Sequence, residues 1–136
     1  MTTATASTLK SPSTRAPFSL PNKIGLALAA LLGAADVGAA FFPTPPGEVG
    51  PPQAILVLDS ILGALTLVAV VVAWRSRNRG LVRLAAGARI LSMITALPAF
   101  FAGVPAFLVA LVSLFVVLTI TAAVLMLLPP RRHVEA

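Results

Sequence analysis

The chain has 136 residues, 58% hydrophobic and 10% charged, with a mean hydropathy of +0.99. A soluble domain is typically about 45–50% apolar and about 25% charged, so this composition excludes an ordinary soluble domain. The formal charge is +6, from ten Lys and Arg against four Asp and Glu. With so little polar surface, that excess reads as a membrane-topology signal and not as a nucleic-acid footprint.

Residues 1–22 are rich in Ser, Thr, Ala and Pro and hold no acidic residue. Such a stretch buries too little apolar surface to offset its ordering entropy, and it reads as a disordered cytoplasmic tail. The first apolar run covers 24–42 and contains one charge, Asp36. Nineteen residues rise about 28 Å as a helix, close to the hydrocarbon thickness of about 30 Å. A signal peptide cleaved near Val37-Gly38-Ala39 is the competing reading, opposed by the long basic region ahead of it and by Asp36 beside the site. A transit peptide is opposed by the single Arg of the tail. Residues 43–52 hold five prolines, which block helix and ladder hydrogen bonding and predict an extended loop.

The second run covers 54–74 and is interrupted only by Asp59. The basic stretch 75–83 follows, with Arg75, Arg77, Arg79 and Arg83. The third run covers 82–102 and holds Arg89, with Pro98 predicted to kink it. Gly103 marks a tight turn. The fourth run, 104–128, has no charge; Pro105 sits in its first turn, where a missing N–H costs nothing. Residues 129–136 form a second cytoplasmic tail. Runs of this length without alternating polarity are helices and not membrane strands. The expected fold is an all-α membrane protein, a four-transmembrane-helix bundle with short loops.

Charge fixes its orientation. With the N-terminus inside, Lys10, Arg15, Lys23, Arg75, Arg77, Arg79, Arg83, Arg131 and Arg132 all lie inside. The remaining basic residue, Arg89, lies within a span, and the outer loops carry only Glu48. This positive-inside pattern predicts an N-in/C-in topology. The Ala, Val, Arg and Pro bias with only two Lys resembles membrane proteins of high-GC bacteria, which implies the bacterial cell membrane.

Ionisable groups inside a membrane cost roughly 2.5–3.5 kcal/mol on insertion scales and are functional candidates by default. Asp36 and Asp59 fall at similar depths, about 9 and 8 Å below the outer boundary, so they could face each other and share a proton. Asp59, early in its helix, also reads as a boundary residue favoured by the helix dipole. Asp36 sits on a stripe of small residues, Gly25, Ala29, Gly33 and Ala40, spaced for helix–helix packing. Gly63 belongs to a similar seam on the second helix with Asp59, Thr66 and Ala73. Arg89 either snorkels toward the inner boundary or pairs with Asp36, roughly 6–10 Å further out. Ser92, Thr95, Ser113, Thr119 and Thr121 are expected to form interhelical hydrogen bonds. The four arginines of 75–83 serve topology or hold anionic lipid head groups.

There is no Cys, which excludes disulfides, thiolate metal sites and a cysteine nucleophile. The one His, His133, lies next to the C-terminus, so no metal site and no cofactor is expected. No nucleophile–base pair or phosphate loop appears, which argues against an enzyme. Two functions remain. One is a non-enzymatic accessory or scaffold subunit that packs against another membrane protein, or against itself, through small-residue faces. The other is a small transporter or channel subunit, coupled to protons or cations through Asp36. In span number, size and a single acidic residue in the first span, the chain resembles small multidrug exporters. It departs from them in having no Tyr, its only Trp at an interface, and a Pro-rich outer loop. Membrane lipids are expected partners; nucleic acid is not.

Overall fold

The computed structural model describes residues 17–42 and 44–129. The tail residues 1–16, Pro43 and residues 130–136 lie outside them, and with them Lys10, Arg15, Arg131, Arg132 and His133. Among the described residues there are four α-helices: α1 (Leu20–Ala39), α2 (Gln53–Ser76), α3 (Arg79–Ala96) and α4 (Ala106–Leu127). Each is long and apolar enough to cross a membrane, the third together with the 3-10 turn that follows it, as Arg79–Phe100.

The helix ends depart from the apolar runs for local reasons. Helix α1 begins at Leu20, not Ile24, so 20–22 do not belong to a disordered tail. Ser19 caps it, Pro21 sits in its first turn, and the Lys23 N–H donates to the Ser19 carbonyl. A polar first turn is compatible with a helix when its side chains find partners, and Asn22 does. Helix α1 stops at Ala39, three residues before Phe42; a proline at 43 disfavours the α region at Phe42, so the helix cannot continue through it. Phe41 and Phe42 instead close short turns onto Gly38 and Ala39. The loop 43–52 is not wholly extended: the Glu48 N–H returns to the Pro45 carbonyl, and Gly47 supplies φ +92.

Helix α2 runs past Trp74 to Ser76 and ends on Arg77 in the left-handed region, φ 52. Asn78 then caps α3, its Oδ1 accepting from the Gly80 N–H at 2.8 Å. That cap starts α3 at Arg79, ahead of the apolar run. At Pro98 the α-helical pattern is interrupted: α3 stops at Ala96 and a 3-10 turn, Leu97–Phe100, continues directly from it. Proline removes the N–H that would reach back to Ile94, and the Leu97 N–H takes that carbonyl instead in the tighter i→i−3 pattern. Gly103, at φ +65, makes the turn into α4, which Pro105 caps.

The helices are antiparallel and form a ring in chain order, with α4 closing on α1. Helices α1 and α3 meet across the diagonal, and α3–α4 is the least intimate seam of the ring. The end with Leu20 and Leu127 is called here the terminal end; the other is the loop end.

Packing differs between the two ends. The apolar core fills the terminal half with Leu26, Ala29, Leu32, Ala69, Val70, Ala73, Val82, Ala85, Ala86, Ala122 and Met126. Most are alanines, which lets backbones approach closely; in lipid, van der Waals contact of this kind holds helices together. Gly25 extends it: a Cβ there would meet the Met126 nitrogen at 2.7 Å and the Ala122 carbonyl at 3.0 Å. Between α1 and α2, a Cβ on Gly33 would lie 2.9 Å from the Gly63 carbonyl, and one on Gly63 2.6 Å from the Gly33 carbonyl. Ala40 lies beyond α1 and is exposed. The large apolar side chains, among them Leu31, Val57, Ile61, Val68, Leu114 and Val117, point outward.

Candidate functional site

The polar side chains of the spans converge toward the loop half. Asp36 lies one turn before the end of α1. Gly33 and Gly63 bring the α1 and α2 backbones together there, and a Cβ on Gly63 would sit 2.9 Å from the Asp36 Cβ. The close approach that these glycines permit therefore sets where Asp36 stands. Helix α2 brings Asp59, α3 brings Arg89, Ser92 and Thr95 on one face, and α4 brings Thr119.

Arg89 pairs with Asp36 through Nη1 and Oδ2. Its Nη2 donates to the Thr119 hydroxyl at 3.2 Å, while its Nε is buried without a hydrogen-bond acceptor among the described residues. Arg89 is 2% exposed. It turns into the bundle, and snorkelling is not its role. The pair ties α1 to α3 across the diagonal, and Thr119 adds α4.

Asp59 differs from Asp36. It has no ion-pair partner among the described residues and is held by hydroxyls alone. Thr95 Oγ1 donates to its Oδ1 at 2.6 Å, and Ser92 Oγ lies 3.3 Å from the same oxygen. Ser92 Oγ is also 3.3 Å from Asp36 Oδ2. A hydroxyl carries one proton and can donate to one carboxylate at a time. Thr95 is divided likewise, because its Oγ1 is also 2.6 Å from the Ser92 carbonyl. The cluster thus holds two carboxylates, one guanidinium and too few donors for the carboxylate oxygens. With both acids ionised its formal charge is −1.

A cavity of about 340 Å3 opens on this cluster. Its lining runs from the exposed Ala39 and Pro51 at the loop end inward to Asp36, Asp59, Arg89, Ser92 and Thr119. Leu108, Leu111, Val112 and Phe115 of α4 form an apolar wall. Among the described residues no three His, Cys, Asp or Glu converge on a point.

The other hydroxyls behave differently from the expectation. Thr66, Ser113 and Thr121 each donate to the carbonyl four residues back on their own helix, at 2.7–2.8 Å, and make no interhelical bond among the described residues. In an apolar setting the nearest carbonyl satisfies them. Ser92, Thr95 and Thr119 bridge helices because charged groups stand opposite them.

Asn22 is a residue that sequence reasoning placed in a disordered tail. It is 1% exposed, and its Nδ2 lies 2.9–3.1 Å from the carbonyls of Leu125, Met126 and Leu128. Ser19 Oγ donates to its Oδ1 at 2.7 Å. The last carbonyls of a helix lack intrahelical partners, so Asn22 caps α4 from α1. The available signal was an amide one turn inside a Ser-Leu-Pro helix start. Arg75, Arg77 and Arg83 are exposed, and Arg79 is half-buried. No family model, curated protein or solved structure matches the chain.

Proposed function

We propose that the chain is a multi-pass integral protein of the bacterial cell membrane, with both termini cytoplasmic, that takes up a proton or small cation at Asp59. The observation that carries this reading is the charge imbalance of the cluster in an accessible cavity. Asp36 has Arg89, whereas Asp59 has only hydroxyls that are shared with other acceptors. A cation or a proton in the cavity supplies what the cluster lacks. This moves the exchangeable carboxylate from Asp36 to Asp59 and makes Asp36 part of the frame.

The accessory-subunit reading drew on the small-residue helix faces. Gly25 is filled by α4, and Gly33 and Gly63 by each other, so those faces are used inside the bundle. No covalent chemistry is part of the proposal.

The test is flux through purified protein in liposomes under an imposed proton or potassium gradient. Asp59→Asn keeps the shape and an acceptor oxygen for Thr95, and removes the charge. It should reduce flux to the level of protein-free liposomes while the protein stays folded. Equal flux from Asp59→Asn and the unmodified protein would overturn the assignment.

A further inference from the structure

At the terminal end a second cavity, of about 260 Å3, is lined by Pro17, Phe18, Lys23, Trp74, Arg75 and Arg77. Three of these six are cations, brought by the first turn of α1, the last turn of α2 and its cap. The acidic residues among those described, Asp36, Glu48 and Asp59, all belong to the loop half. Like charges converging on one small cavity repel unless an anion sits among them. Arg79 adds a fourth charge beside it, its guanidinium carbon 6.0 Å from the centroid of the Phe18 ring. Its Nη2 is buried with no hydrogen-bond acceptor among the described residues. Arg77 keeps its side chain here at φ 52, a backbone state that Gly or Asn adopts at lower cost.

A topology signal needs positive charge on one side of the spans; it does not need the charges to share a cavity with two aromatic rings. We infer that this cavity binds the phosphate head group of an anionic phospholipid. Lys23, Arg75 and Arg77 meet the phosphate oxygens, and Phe18 and the half-exposed Trp74 meet the glycerol and upper acyl carbons. Free phosphate shares the oxyanion chemistry. The lipid is favoured because the cavity lies where two long apolar helices end, and half of its lining is apolar. The inference rests on the membrane reading and is independent of the cation site at Asp59.

The experiment is native mass spectrometry of the full chain released from vesicles of phosphatidylglycerol and phosphatidylcholine in equal amounts. Both lipids carry the phosphate, but the choline cation of phosphatidylcholine cancels its charge; each site cation facing a net negative head group contributes about fivefold, so three should favour phosphatidylglycerol on the order of a hundredfold. Arg75→Gln with Arg77→Asn should lower its retention about 25-fold, and Lys23→Gln alone about fivefold. Arg83→Gln removes an exposed α3 charge outside the cavity and should change nothing. Circular dichroism in detergent shows whether the double variant is folded; if it is not, Lys23→Gln carries the test. Equal retention of the two lipids, or a loss with Arg83→Gln as large as with Lys23→Gln, overturns the site. Displacement of the lipid by millimolar inorganic phosphate overturns the lipid as its occupant.

Discussion

The Asp36–Arg89 pair joins α1 to α3 across the bundle, and a double-mutant cycle measures it. Asp36→Ala leaves Arg89, 2% exposed, with only the Thr119 hydroxyl at 3.2 Å. An uncompensated buried charge of this kind costs about 3–5 kcal/mol. Arg89→Met fills much of the same volume and removes the charge. Asp36 then keeps the Ser92 hydroxyl and, with its side chain 12% exposed at the cavity mouth, some access to water. The expected loss is smaller, about 1–3 kcal/mol. Replacing both partners removes the charges together, and apolar substitutes for a buried pair are often close to neutral. The double variant should therefore be more stable than Asp36→Ala alone, with a coupling of about 4 kcal/mol or more, close to the sum of the two single losses. Unfolding in mixed micelles with increasing dodecyl sulfate, followed by circular dichroism, reports each corner of the cycle. Additivity to within about 0.5 kcal/mol would refute the pairing and the place given to Arg89.

Other contacts give further expectations. Gly25→Ala puts a Cβ 2.7 Å from the Met126 backbone nitrogen, and the same unfolding assay should show a loss of about 1–3 kcal/mol from overpacking. Asn22→Ala strips the carbonyls of Leu125, Met126 and Leu128 of their donor. It should cost about 1–3 kcal/mol, and hydrogen exchange should rise in the last turn of α4 first. In cells, a cysteine placed at Glu48 should react with an impermeant maleimide from outside, and one at Asn78 only after permeabilisation; labelling of both from outside would contradict the N-in/C-in topology.

The spans were legible because length and continuous apolarity suffice for them, as in the uncharged run that became α4. Their ends were less so. The start of α1 at Leu20 depends on what Asn22 meets, and that is the far end of α4, over a hundred residues away in sequence. The spacing of Gly25, Ala29 and Gly33 announced a packing face but not its partners; Gly25 meets α4 and Gly33 meets α2. The acidic pair shows the same limit. Depth arithmetic put Asp36, Asp59 and Arg89 within reach of one another, since rise per residue is fixed. Which of them paired depended on the order of helices around the ring, on which hydropathy is silent. The ring places α3 diagonal to α1, so Arg89 crosses to Asp36, and Asp59 faces Ser92 and Thr95.

The distribution of residue size along the bundle bears on how a cation could move. Alanines, the Gly25 contact and the Asn22 cap hold the terminal half closely packed, so separating the helices there costs contacts on every side. The loop half has the cavity, the 3-10 turn at Leu97–Phe100 and the loosest seam, α3–α4. Under the proposed function, a cation entering past Ala39 and Pro51 would reach Asp59 from that side. Toward the terminal half it would meet the layer in which Arg89 joins Asp36 to Thr119, an ion pair without net charge, backed by the closely packed alanine core. The closed ion pair and the close packing behind it make that layer the barrier to the proposed movement. Its most easily broken link is the Arg89–Thr119 hydrogen bond at 3.2 Å, between uncharged hydroxyl and guanidinium. Under the proposed function, passage to the other side would require α4 to draw away from α3 at Thr119 while the Asp36–Arg89 pair stays closed. A cation would then be released past α4, and Asp59 would be reloaded from the loop end.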